Sequence, residues 1–329
     1  MARILLINTG GTLTSRQGEL GLEPRISGKE ILELVGGFEQ EIDIELNDYC
    51  FLDSANILPA DWQQIAKLVT EKLGAIEGAV VVHGTDTMAY TASMLSFMLQ
   101  GIPIPLVLTG SQMPLGVPMS DAEDNLRCAV HMACSGMPGV FVAFDRRIML
   151  GCRTSKVRTV SFNAFESINY PYIGEINAYG LQLNRDVNCP AGEFRFRPEC
   201  SDRIAVLKLF PGMDPEIFTY LHERGYEGIC IEGFGLGGVP FLREDFTAEI
   251  RRLSEAGMPI LVGSQCRYEG SNLSVYETGQ RILACGGIPV RDMTQEAVVT
   301  KLMWGLGQKR DREWIQDLFS RNLVGEVIL

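Results

Sequence analysis

Residues 4–15 read ILLINTGGTLTS, and residues 80–99 read VVVHGTDTMAYTASMLSFML. In each, an apolar run of strand length stops at a turn that carries glycine and two threonines. Nearly continuous Val/Ile/Leu runs mark strands covered on both faces, as in a parallel sheet. Runs of this kind at 3–8, 79–83, 105–109, 139–144, 204–209, 228–232 and 259–263 alternate with amphipathic helical stretches. That alternation predicts an α/β fold. In open α/β sheets ligands sit at the carboxyl ends of the strands. Thr12, Thr85, Ser111 in LVLTGSQMP and Lys156 at the end of RTSK all fall at such ends.

Helix starts are also legible. Ser27-Gly28-Lys29-Glu30 and Ser120-Asp121-Ala122-Glu123 both fit a capping box. Asp214-Pro215 places a capping side chain before a proline at the first helical position. The segment NRDVNCPAGEFRFRPEC (184–200) is polar, holds two prolines and has no helical period. It predicts an interdomain linker at 186–200, between an N-terminal catalytic domain (1–185) and a smaller C-terminal α/β domain (201–329).

The chain has 329 residues, 46% hydrophobic and 21% charged, with a net charge of −12. This composition is that of a globular protein with a sizeable core. An acidic surface repels phosphate backbones, so nucleic acid is not an expected partner. No apolar run reaches the ~20 residues of a membrane span, and no signal-peptide pattern follows Met1. The nine cysteines contain no CxxC pair, and only three histidines exist. These counts point to core thiols in a reducing cytoplasm rather than to disulfides or a metal site.

The chemistry follows from the residue types available. A threonine hydroxyl attacks only when a neighbour takes its proton. With few histidines and no GxSxG, a histidine-dependent serine hydrolase is poorly supported. Lys156 is the available base, with the cation of Arg153 close in sequence. Asp86, adjacent to Thr85, is the orienting third group, so Thr, Lys and Asp form a complete catalytic set. The glycines permit close backbone approach, and N–H groups after Gly11 and Gly84 would face a developing oxyanion. Amide hydrolysis is the reaction class that fits, with one threonine attacking and the other helping to move a proton.

NTGGT, HGTDTMAYTASMLSFML, LTGSQMP and RTSKV, with FNAFESINYP (162–171), DMTQEAVVTKLMW (292–304) and NLVGE (322–326), resemble the bacterial-type L-asparaginases. The resemblance is closest to the cytoplasmic type I branch. It covers essentially the whole chain, in order. It implies a three-layer, flavodoxin-like N-terminal domain, hydrolysis of L-asparagine to L-aspartate and ammonia, and no metal or cofactor. It also implies an intimate homodimer, sometimes paired into a tetramer, with each active site shared between subunits.

By the same resemblance, Thr12 corresponds to the primary nucleophile, and Thr85, Asp86 and Lys156 to the second triad. Asp53 and Ser54, in LDSAN, correspond to substrate-binding residues, Ser54 holding the α-carboxylate. Asp86 also corresponds to a partner of the α-ammonium. The Ser111 carbonyl corresponds to the acceptor for the scissile amide. Glu277, in VYETG, matches an acidic residue that reaches the α-ammonium from the neighbouring subunit.

Three departures from the family pattern stand out. The loop 13–26, LTSRQGELGLEPRI, resembles the mobile lid, yet Leu22 stands where family lids carry a tyrosine. Either another group activates Thr12, or turnover on asparagine is compromised, or the preferred amide differs. Ala55 replaces a glutamine of periplasmic relatives. Glu232 replaces the arginine of a second, regulatory asparagine site, which predicts no homotropic activation.

Rival readings are an asparaginase-like subunit of a tRNA-dependent amidotransferase, a non-catalytic small-molecule binding protein and a dinucleotide-dependent oxidoreductase. The last rests on Gly233-Phe-Gly235-Leu-Gly-Gly238, a formal GxGxxG after a strand. No acidic residue for a ribose hydroxyl lies on the next strand, and Pro240 interrupts the helix start.

Overall fold

The computed structural model describes residues 2–36, 38, 41–187 and 192–328. The chain divides into two compact units, Met1–Pro198 and Glu199–Leu329. Of the expected linker, residues 188–191 lie outside the described residues. Within the remainder, Arg195–Phe196 pairs antiparallel with Leu99–Gln100 of the first unit.

The first unit is built on an eight-stranded sheet. Its first five strands in chain order are Ala2–Gly10, Ile42–Leu52, Gly78–Val82, Pro105–Thr109 and Gly139–Phe144. They are parallel, and in space they run second, first, third, fourth, fifth. This is the flavodoxin-like order, whose ligand crevice opens where the strand order reverses, between the first and third strands. The sheet continues antiparallel through Arg147–Leu150, Gly174–Asn177 and Gly180–Leu183.

The central strands carry the buried runs expected of them. Ile4, Leu6, Ile7, Ala79, Val80, Val81, Val82, Leu106, Val107 and Leu108 have no exposed surface. Ile42–Leu52 differs: it is half-buried along most of its length and alternates apolar with charged residues, as an edge strand does. The helix Met88–Met98 is buried nearly all round. It therefore lacks the polar face of a surface helix.

The two expected capping boxes part company here. At Ser27 the box forms: Ser27 accepts from the Glu30 N–H, and the Glu30 carboxylate accepts from the Ser27 N–H. At Ser120 it does not. The helix Ala122–Ala133 is capped at Asp121, whose side chain makes no capping bond. That carboxylate turns instead toward Gln112, Met113 and Asn125. The helix expected at Pro215 runs Glu216–Glu223, and Asp214 accepts from the Glu216 N–H.

The second unit is a four-stranded parallel sheet in chain order, Ile204–Lys208, Gly228–Gly233, Ile260–Ser264 and Ile288–Pro289. Its core gathers Phe218, Ile229, Phe246, Ile250, Leu253, Ile260, Val262 and Ile282, all essentially buried. A charged pair lies inside this unit. Lys301, on helix Gln295–Gln308, donates to the Glu326 carboxylate and to the Arg321 carbonyl, and neither side chain of the ion pair has exposed surface. Glu326 also accepts from the Leu323 and Val324 N–H groups, which folds the NLVGE turn around the lysine.

Candidate active site

At the strand-order reversal, the loops that follow Ala2–Gly10 and Gly78–Val82 meet main chain to main chain. Gly11 has φ +80°, and a Cβ there would lie 2.4 Å from the Gly84 Cα and nitrogen. A Cβ on Gly84 would lie 2.6 Å from Ser54 Oγ. Only glycine fits these positions, the first for both conformation and space. Thr12, at the head of the short helical turn Thr12–Thr14, and Thr85 each directly follow one of these two glycines.

Between these loops opens a cavity of about 180 Å³ lined by Gly11, Thr12, Asp53, Ser54, Gly84, Thr85, Asp86, Gln112, Lys156 and Thr159. The size and polar lining suit a small polar molecule.

Lys156 ends the strand Thr154–Lys156, which pairs antiparallel with Phe165–Ser167. Its Nζ lies 2.7 Å from Thr85 Oγ1 and 2.7 Å from Asp86 Oδ1. Its side chain is largely covered, whereas the Asp86 side chain is 62% exposed. The carboxylate therefore faces the solvent side of the group while the amine is held against the hydroxyl. Ser54 is buried; its Oγ accepts from the Asp86 N–H, and its carbonyl accepts from Thr87 Oγ1. Asp53 caps the turn Ser54–Asn56 by accepting from the Ala55 N–H.

A buried polar chain backs the Thr85 loop. Trp62 Nε1 donates to Thr91 Oγ1 at 2.9 Å, and Thr91 Oγ1 lies 3.0 Å from His83 Nε2. His83 Nδ1 lies 2.7 Å from the Gly84 carbonyl, which can only accept. Nδ1 therefore carries the proton, and Nε2 of the neutral ring accepts from the threonine hydroxyl. Burial pushes the His83 pKa down to about 4, against the opposing pull of the Gly84 carbonyl. His83 is thus a neutral strut behind the loop.

Thr12, Thr85, Asp86, Lys156, Asp53 and Ser54 thus share one cavity. Ser111 is buried and is not among the lining residues; its hydroxyl donates to the Met113 carbonyl, and its sequence neighbour Gln112 lines the cavity. Glu277 belongs to the second unit, at the start of helix Glu277–Ala284, where its exposed carboxylate pairs with Arg281. It does not line this cavity. Gln112 and Thr159 line the cavity without having been singled out from the sequence. Their only sequence signal is proximity to Ser111 and Lys156.

The stretch 13–26 folds as a short hairpin, Ser15–Gln17 against Leu22–Pro24, with Leu20 fully exposed and Leu22 half-exposed. Glu232 lies on Gly228–Gly233, its carboxyl raised above the usual range by burial and drawn back by Lys208 and Arg267. The glycine-rich run after that strand closes on itself, the Phe234 N–H donating to the Gly238 carbonyl. The next helix, Phe246–Glu255, is capped separately by Asp245. The loop therefore delivers no helix N-terminus, and the formal dinucleotide motif lacks its phosphate cradle. Among the described residues no group of His, Cys, Asp and Glu is arranged to hold a metal, and the eight described cysteines form no disulfide with one another. No described helix is long and apolar enough to cross a membrane.

A doubly wound sheet whose switch-point loops bring Thr12, Thr85 and Asp86 to one small cavity, with Lys156 of the strand Thr154–Lys156 on its wall, holds the residue types of an amide hydrolase. Comparison with known proteins narrows the class. Residues 3–188 match the model of the family described as Asparaginase, N-terminal, and residues 203–319 that of the Glutaminase/Asparaginase C-terminal domain. The chain belongs to the asparaginase family. It is 41% identical over 326 residues to an L-asparaginase of Thermococcus kodakarensis, covering 99% of both chains. It is 35% identical to a glutamyl-tRNA(Gln) amidotransferase component from Aeropyrum pernix, covering 99% of this chain and 79% of that one. Among solved structures, the thermostable L-asparaginase from T. kodakarensis superposes with a TM-score of 0.94 over 99% of both chains. L-asparaginase I from Vibrio cholerae gives 0.88 at 31% identity, over 100% of this chain and 99% of that one.

Proposed function

We propose that this protein hydrolyses the side-chain amide of L-asparagine to L-aspartate and ammonia, with Thr12 as nucleophile. The observation that carries the reading is the pair of threonines on one cavity, with Lys156 2.7 Å from both the second hydroxyl and Asp86. Thr12 Oγ1 attacks the amide carbon, and its proton passes to the amide nitrogen, which leaves as ammonia. Water then hydrolyses the threonyl ester and restores the hydroxyl. Thr85, Lys156 and Asp86 hold the proton path, and backbone N–H groups after Gly11 and Gly84 face the developing oxyanion. Ser54, Asp53 and Asp86 hold the substrate's amino-acid end, and the Ser111 carbonyl accepts from the scissile amide. Glu277 acts from a neighbouring subunit in a homodimer or a pair of dimers, in the cytoplasm.

Ammonia release from asparagine by the wild type, Thr12→Ala and Thr85→Ala tests the assignment. Each variant is expected to lose at least about a hundredfold in kcat/KM. A near-full rate in Thr12→Ala would remove Thr12 as nucleophile.

The 35% identity to an amidotransferase component favours a second reading, an ammonia-supplying subunit of a tRNA-dependent amidotransferase. Multiple turnovers of free asparagine by the isolated chain support the first reading. Activity that requires a partner and charged tRNA supports the second.

A further inference from the structure

We propose that Asp121 is a positioning residue for the amide-recognising carbonyl of Ser111. This inference rests on the hydrolase reading above. Asp121 is where the expected capping box fails, and its carboxylate spans the loop that follows Pro105–Thr109. Its two oxygens accept from the Gln112 N–H at 3.1 and 3.0 Å, and Oδ1 also accepts from the Met113 N–H at 3.1 Å. Oδ2 accepts from Asn125 Nδ2 at 3.0 Å.

Asn125 is 1% exposed and fully engaged. Its Nδ2 also donates to the Gly110 carbonyl at 3.0 Å, and its Oδ1 accepts from the Asp145 N–H at 2.9 Å. Those two contacts forbid a flip of the amide. Asn125 must therefore present a donor to residue 121, and residue 121 must accept. A further constraint comes from Gly110, where a Cβ would lie 2.3 Å from the His83 carbonyl.

Peptide planarity turns these contacts into an orientation. In a trans peptide the N–H and the preceding C=O point in opposite directions. Asp121 holds the Gln112 N–H, so the Ser111 carbonyl points away from Asp121. The Gly110 carbonyl on one side and the Met113 N–H on the other are pinned by the same pair of side chains. The peptide thus cannot rotate without breaking contacts to a half-buried carboxylate. Burial raises the pKa of that carboxyl, and the Gln112 and Met113 N–H groups oppose the shift. A carboxylate drawn out of water in this way is costly to leave with fewer donors.

The distinguishing feature of a carbonyl that accepts from the scissile amide is that it matters only for substrates with an N–H there. Asparagine has one; the β-methyl ester of aspartate and the product aspartate do not. In Asp121→Ala, kcat/KM on asparagine is expected to fall about 10- to 100-fold further than on the ester, the scale of one positioned transition-state contact. Inhibition by aspartate is expected to stay within about twofold, because no amide contact is lost. Asp121→Asn keeps an acceptor for the backbone N–H groups but sets an NH₂ against Asn125, so the same split is expected, smaller. It also serves if the alanine variant does not fold. Equal losses on amide and ester, or an aspartate inhibition constant that weakens in parallel, overturn the assignment and reduce Asp121 to a structural residue. A wild type inactive on both substrates overturns the hydrolase reading itself, and this inference with it.

Discussion

Lys156 Nζ lies 2.7 Å from Thr85 Oγ1, across 71 positions of sequence. The short strand Thr154–Lys156 and the turn after Gly78–Val82 have to converge for this to happen. Asp86 Oδ1 lies equally close to the same nitrogen. The amine can thus exchange a proton with the hydroxyl while the carboxylate keeps it in place.

Replacing Lys156 by methionine is expected to lower kcat on asparagine by about 10²- to 10⁴-fold, the usual scale of general acid–base assistance. Arginine is expected not to rescue it, because a guanidinium keeps the charge but does not give up its proton. Steady-state ammonia assays on both variants make the check. Recovery in Lys156→Arg would show that only charge is needed.

Gly84→Ala is expected to raise KM, because the new methyl would lie 2.6 Å from Ser54 Oγ, which must then move away from the Asp86 N–H. Its stability cost is expected near 1–3 kcal/mol, as for other overpacked sites. Gly11→Ala is expected to be worse. It meets main chain of Gly84 at 2.4 Å and sits at φ +80°, so neither neighbour nor backbone yields easily. Melting temperatures and KM for the two variants should rank in that order.

His83 makes stability fall in acid. Its folded pKa is about 4, below its ordinary value of 6.5, so the unfolded chain binds more protons between those values. Stability from this group is complete above pH 6.5 and is lost as pH drops toward 4, by up to ~3 kcal/mol. Denaturant unfolding across that window reads the slope. His83→Asn places an amide N–H near the Gly84 carbonyl and is expected to flatten it.

Glu326→Gln is expected to destabilise the second unit by about 3–5 kcal/mol, because it strips the buried Lys301 of its carboxylate. The double change Lys301→Met with Glu326→Gln is expected to cost less, since it removes both charges from the interior and keeps an amide oxygen for the Leu323 and Val324 N–H groups. Chemical unfolding of the single and double variants decides the matter. A mild single variant would mean that the Arg321 carbonyl suffices for the lysine.

Much of the fold is legible in the sequence because its central strands are apolar on both faces. Ile4–Ile7, Ala79–Val82 and Leu106–Leu108 read as continuous runs and lie side by side. Ile42–Leu52 escapes that criterion: charges at Asp43, Glu45 and Asp48 break the run, although the alternation is what an edge strand needs. The outer hairpin Gly174–Asn177 and Gly180–Leu183 is mostly exposed and carries little apolar signal. For the site, the threonines stand out because each ends a strand. Gln112 and Thr159 do not, because loop polars have no period. Asp121 is misread locally. The pattern Ser-x-x-Glu fits a box, and only the folded chain shows the carboxylate reaching back eight and nine residues to Met113 and Gln112.

Where Gly11 abuts Gly84, the cavity is lined by main chain. Mutation therefore has nothing to vary there, since any residue larger than hydrogen collides. Changes in substrate length or shape must come through the walls, where Asp53, Gln112 and Thr159 offer replaceable atoms. Selection or engineering toward a longer amide would leave that stretch of lining fixed and rewrite the rest.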